Sequence, residues 1–113
     1  MPLGEFGDYI LLTNFHDYVS RFAQQFNCRI YGEGRPMQAA TCKEGITIIN
    51  FGIGSANAAT VMDLLSAISP RAVLFLGKCG GLKQSTEIGN FILPIAAIRG
   101  AVSYTHLTLP TKA

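Results

Sequence analysis

Residues 46–57, ITIINFGIGSAN, decide the fold. Their first six positions are mostly apolar and too few for a helix, the pattern of a strand covered on both faces, as in parallel sheets. The run passes directly into Gly52, Ile53, Gly54 and Ser55, then into a stretch where Ala58, Val61, Met62, Leu65 and Ile68 recur at helical spacing up to Pro70. That spacing predicts a helix, and the proline marks its end. The pattern repeats at once, because residues 72–76 (AVLFL) are a second apolar run that ends in Gly77, Lys78, Cys79, Gly80 and Gly81. Upstream, residues 9–13 (YILLT) read as another buried strand. Asn14 is placed to cap a helix over residues 15–26, on which Phe15, Val19, Phe22 and Phe26 share a face. Residues 37–41, a turn at Lys43, Glu44 and Gly45, and residues 46–51 predict a hairpin that delivers the buried strand. Residues 87–98 (EIGNFILPIAAI) continue with strand-like composition, Pro94 suggesting an edge or a bend. Strand, glycine turn and helix alternating in this way predict an α/β sheet, mostly parallel and covered by helices.

With 113 residues the chain is one small domain at most. It is 49% hydrophobic and only 14% charged, against a typical charged share of about 25%. Much of its surface is therefore expected to be covered by a further segment, by a partner subunit, or by both. The net charge of +2 is small and Lys and Arg form no runs, so neither a nucleic-acid nor a membrane footprint is supported. Cys28, Cys42 and Cys79 are odd in number and show no CxxC or Cys/His metal spacing, so they read as reduced thiols with no metal site. The opening MPLGEFGDY lacks the basic-then-apolar order of a signal peptide, and no run of about 18 apolar residues occurs. The expected location is the cytoplasm.

Candidate chemistry gathers at the glycine turns. Gly52 and Gly54 let backbone approach an anion closely, and the first N–H groups of the helix that opens at Ser55 point toward it. Tight packing alone accounts for many such turns, so the motif is weak by itself. A dinucleotide site would want a third glycine where Asn57 stands, and an acidic residue at the end of the next strand, where Gly77 and Lys78 stand. No cofactor is implied. Two glycine turns following neighbouring parallel strands would share the carboxyl edge of the sheet, where ligands bind in open α/β folds. Lys78 offers a mobile cation there, against the alternative of a solvated loop lysine. Arg35, beside Pro36 in a glycine-flanked loop, offers a fork that matches phosphate oxygens. Cys79 reads as a small packing residue rather than a nucleophile, since no local histidine would activate it. His16, on the first helix, reads as solvated or capped.

Taken together, YILLTNFHDYV, GRPMQAAT, INFGIGSANAATVMDLL and VLFLGKCGGLKQSTEIGNFILPIAAIRG resemble the catalytic domain of AMP nucleosidases, members of the nucleoside phosphorylase superfamily. The resemblance runs from about residue 6 to residue 100. It implies a three-layer α/β fold with a mixed, mostly parallel sheet, assembled as a homo-oligomer, usually a hexamer. It implies hydrolysis of AMP to adenine and ribose 5-phosphate. Phosphorolysis and a non-catalytic nucleotide-binding module stay open as alternatives. Carried over residue by residue, Gly52, Gly54 and Ser55 fall on the loop beside phosphate and ribose, and Gly77, Lys78, Cys79 and Gly80 on the strand end lining phosphate, ribose and base. Arg35 falls on an arginine that phosphorylases lend to a neighbouring subunit's phosphate site. Where phosphorylases carry a glycine and two arginines, this chain has Asn14, Tyr18 and Phe75, which weakens a site for attacking phosphate and fits water as nucleophile. The acids that engage ribose and protonate the purine are expected beyond Gly100, so the catalytic residues are unknown.

Residues 102–111, VSYTHLTLPT, look like the translation of a transposon-derived adapter used in sequencing libraries. A threonine-rich, proline-containing stretch here follows an apolar strand with no turn signal. The expected division is therefore 1–101, a truncated catalytic domain inactive alone, and 102–113, a non-native tail, with the natural reading frame continuing past Gly100. His106 is set aside for the same reason.

Overall fold

The computed structural model describes residues 3–98. Contacts divide the chain into two units, Met1–Cys79 and Gly80–Ala113. The first holds every regular strand and helix among the described residues. After a short 3₁₀ turn at Leu3–Glu5 come strand β1 (Tyr9–Thr13), helix α1 (His16–Phe26), strands β2 (Gln38–Thr41) and β3 (Ile46–Asn50), helix α2 (Ser55–Leu65) and strand β4 (Ala72–Leu76). The sheet order is β2-β3-β1-β4, with β1 parallel to both β3 and β4 and only β2 antiparallel.

Strand periodicity sends alternate side chains to opposite faces, and each face has its own core. Ile10, Leu12, Ile49 and Phe51 pack with Val61 and Leu65 of α2. Ile48 and Ala40 pack with Val19 and Phe22 of α1. The α1 connection carries the chain from β1 to β3, and the α2 connection carries it back across β1 to β4. Right-handed crossovers in opposite directions place their helices on opposite faces, which gives the three layers of helix, sheet and helix.

The expected elements form, with five corrections. Asn14 does not cap α1: Phe15 is the N-cap, in extended conformation and without a side-chain cap bond, and its N–H donates to Thr13 Oγ1 at 3.2 Å. Asn14 stands one residue before the cap position, and the Phe15 N–H is held instead by the hydroxyl of Thr13, fully buried at the strand end. Met62 is 48% exposed, because α2 turns Val61 and Leu65 to the sheet and leaves Met62 beside the stripe. Strands β3 and β4 are not neighbours; β1 lies between them. Strand β4 is apolar as expected but pairs on one edge only, and Leu74 and Phe75 remain about half exposed. In the second unit residues 87–98 form no strand, only turns such as Asn90 N–H to the Glu87 carbonyl at 3.1 Å. A strand needs a partner for its backbone groups, and no second strand is described in that unit. Ile88, Phe91 and Ile95 are accordingly fully exposed. No described helix is long and apolar enough to cross a membrane.

Ile10, 1% exposed in the central strand, anchors the α2-side core. Ile10→Ala is expected to cost about 2–5 kcal/mol in urea unfolding, against about 1 kcal/mol for Leu74→Ala on the open strand. Equal losses would contradict the placement of the core.

Candidate functional site at the carboxyl rim of the sheet

The three parallel strands end level with one another, Thr13 beside Asn50 on one side and beside Leu76 on the other. Their exits therefore share one rim: residues 14–15 after β1, 51–54 after β3 and 77–79 after β4. Two strand spacings separate the outer exits, roughly 10 Å. β2 runs the other way and begins at this rim, with Gln38 opposite Asn50.

After β3, Gly52 takes φ +82° and Gly54 φ +108° with ψ 149°. The second of these lies in a region that only glycine enters without strain. The Gly52 N–H is already used, donating to Asn50 Oδ1 at 3.1 Å. The donors left free are the N–H groups of Ser55, Ala56 and Asn57. They precede the first intrahelical bond, from Ala58 N–H to the Gly54 carbonyl at 3.1 Å, and no side chain caps them among the described residues. The positive end of the helix is thus open at the rim.

On the other side of β1, the Lys78 ammonium lies 4.6 Å from the centre of the Phe15 ring and 5.8 Å from that of Tyr18. Attraction to the ring faces, about 0.5–1 kcal/mol at exposed sites, holds the lysine over the crevice between β1 and β4. The chain leaves β1 over the α1 face and enters β4 from the α2 face, so this crevice is the topological switch point of the sheet.

The remaining sequence candidates are placed differently. Cys79 is exposed beside Lys78. Gly80 falls in the second unit, exposed there. Arg35 is exposed in a turn closed by its own N–H to the Gly32 carbonyl at 2.9 Å. It lines a groove of about 920 Å³ with Tyr31, Met37, Val61 and Leu65, a groove that includes neither glycine turn. Burial first, then the adjacent Cys42, pushes the Cys28 thiol up, away from the reactive thiolate. Sequence reasoning missed Gln38 and Asn50, buried to 7% and 9% exposure at the rim. The available signal was an amide at the rim end of each strand of the predicted hairpin. It also left His16 without a role, although its Nδ1 lies 2.7 Å from Gln38 Oε1.

The fold and rim define an α/β protein of the helix–sheet–helix type with an open helix N-terminus at its carboxyl edge. A sequence profile of the Phosphorylase superfamily matches residues 8–111, its last ten positions falling in the adapter-like stretch. The chain belongs to that superfamily. It is similar to the AMP nucleosidase from Bacteroides thetaiotaomicron VPI-5482, whose crystal structure superposes with a TM-score of 0.81 at 57% identity, covering 88% of this chain and 43% of that one. It is also similar to AMP nucleosidases of Escherichia coli K12 and O157:H7, 27% identical over 134 residues, covering 87% of this chain and 28% of theirs. The chain thus spans less than half the length of these relatives.

At Gly54 a Cβ would meet no atom within 4 Å, so substitution there strains only the backbone. Gly54→Ala is expected to lose roughly 1–3 kcal/mol of stability, read by urea unfolding. A loss below a few tenths would mean that the loop does not hold this conformation.

Proposed function

We propose that this segment is the phosphate- and ribose-holding part of an AMP nucleosidase, which hydrolyses the N-glycosidic bond of AMP to adenine and ribose 5-phosphate. The observation that carries the reading is the pairing of an uncapped helix start at Ser55 with the Lys78 ammonium on either side of the β1 exit. An anion between them meets backbone donors, a helix dipole and a cation together. The names of the relatives support AMP as the nucleotide.

In this reading the 5-phosphate of AMP lies between the Ser55–Asn57 amides and Lys78, and Gly52 and Gly54 present their Cβ-free backbone to the ribose. Holding the phosphoribosyl group fixes the anomeric carbon for attack. The bond to the purine breaks with its electron pair passing to the base, which takes a proton from an acid. Water adds to the oxocarbenium-like carbon and gives up a proton. The acid is expected beyond Gly100. Water rather than phosphate as the attacking group is supported by the rim, because Tyr18 and Phe75 bring rings where phosphorylases carry cations. Tyr18 lies beneath Lys78 and the Phe75 ring centre is 6.0 Å from that of Phe51. Arg35, which lines a groove that includes neither glycine turn, is read as serving a neighbouring subunit in a homo-oligomer, a hexamer by family resemblance. Phosphorolysis is the second reading, favoured by the superfamily itself.

The full-length enzyme is expected to release adenine from AMP in phosphate-free buffer; a strict requirement for phosphate would establish phosphorolysis instead. Lys78→Ala should raise KM for AMP about 10- to 100-fold, the worth of one charge-assisted hydrogen bond. It should also narrow the preference for AMP over adenosine. An unchanged preference would remove Lys78 from the phosphate site.

A further inference from the structure

The glycine loop is tied to α1 by side chains. Gly52 N–H donates to Asn50 Oδ1 at 3.1 Å, and Asn50 Nδ2 donates to Gln38 Oε1 at 3.4 Å. The same oxygen is 2.7 Å from His16 Nδ1, and His16 Nε2 is 3.1 Å from Ser20 Oγ. The direction of each bond follows from the one before. A backbone N–H needs an acceptor, so Asn50 must turn its oxygen to Gly52 and its nitrogen to Gln38. Gln38 must then present its oxygen, which accepts from His16 Nδ1–H. In the neutral ring Nε2 is left to accept the Ser20 hydroxyl. The two amides face one another across the antiparallel β2–β3 pair and are among the four buried polar residues of the chain's described part. Buried amides cost stability unless bonded. These two are bonded to each other and outward at both ends, to the loop and to the helix.

We propose that Gln38 and Asn50 are positioning residues: with His16 they form a relay that locks the Gly52–Gly54 loop to α1 and so aims the free amides at the start of α2 at the nucleotide's phosphate. The proposal rests on the nucleosidase reading for the identity of that ligand. It assigns the amides a purpose that strand pairing does not need, because Thr41 and Thr47, bonded at 2.7 Å through their hydroxyls, already join the opposite end of the same hairpin. That second bond is a built-in control, equally a side-chain bond between β2 and β3 but remote from the rim.

The test uses the full-length enzyme. Gln38→Met keeps the length of the side chain and removes the shared acceptor, and it is expected to raise KM for AMP about tenfold while kcat changes less than about threefold. Asn50→Asp keeps the acceptor for Gly52 but sets two acceptors face to face unless the Gln38 amide turns over, which would in turn misdirect His16. It should give a smaller rise. Because His16 is exposed, His16→Ala should fold whatever happens to the buried variants, and a rise in KM of about threefold is expected for it. Combined with Gln38→Met it should add nothing, since both cut one relay. Thr41→Val should lower the unfolding midpoint and leave KM alone. If Gln38→Met and His16→Ala behave as Thr41→Val does, with KM unmoved, the relay is a packing device and the proposal fails. Wild-type enzyme inactive on AMP would sink the nucleosidase reading alone. The relay is then judged by hydrogen exchange: the peptide spanning residues 50–58 should exchange faster in Gln38→Met but not in Thr41→Val, and equal rates in the two would overturn it.

Discussion

Everything at the rim follows from one constraint, the shared register of three parallel strands. Because β1 hydrogen-bonds to β3 on one side and β4 on the other, with Thr13 level with both Asn50 and Leu76, the three chain exits come out together. A parallel pairing slipped by one residue would turn every side chain to the opposite face. It would separate Ile10 from Val61 and Ile48 from Val19, so the cores that hold α1 and α2 also hold the exits in line. Apolar packing on the two faces is thus what sets an uncapped helix start and a lysine on either side of the β1 exit.

The rim itself is built from weak charges and firm geometry. One cation resting on two aromatic rings and three backbone amides are modest elements singly, and low overall charge leaves no long-range field to gather a phosphate. Such a site depends on donors that are already aimed when the ligand arrives, since reorienting a loop would consume much of what each bond contributes. Gly54 in a conformation reserved for glycine, and the Gly52 N–H held by Asn50, itself bonded to Gln38, are the structural ties on this loop.

Much of this was legible in the residues, and the failures share a cause. Runs such as YILLT and ITIIN announce strands because burial on both faces favours apolar residues at most positions, AVLFL does so although its open edge leaves Leu74 and Phe75 half exposed, and Val61 and Leu65 announce the packed face of α2 by spacing alone. Asn14 misled because a capping residue type stood one residue before the position that became the cap, Phe15. Residues 87–98 misled because strand composition is necessary for a strand but a partner is what makes one. Gln38 and Asn50 escaped notice because nothing local says that two amides twelve residues apart face each other across a hairpin.

By itself, then, the order of residues determined the elements, the alternation that makes an α/β sheet, and the two glycine turns, since these depend on local sterics and on hydrophobic period. It did not determine that β1 would stand between β3 and β4, that Lys78 would come to rest over Phe15 and Tyr18, that Arg35 would line a groove that includes neither glycine turn, or that Gly52 would spend its N–H on Asn50. Those are matters of which strand pairs with which and of where a long side chain comes to lie, and only the folded sheet, by bringing distant segments into register, decides them.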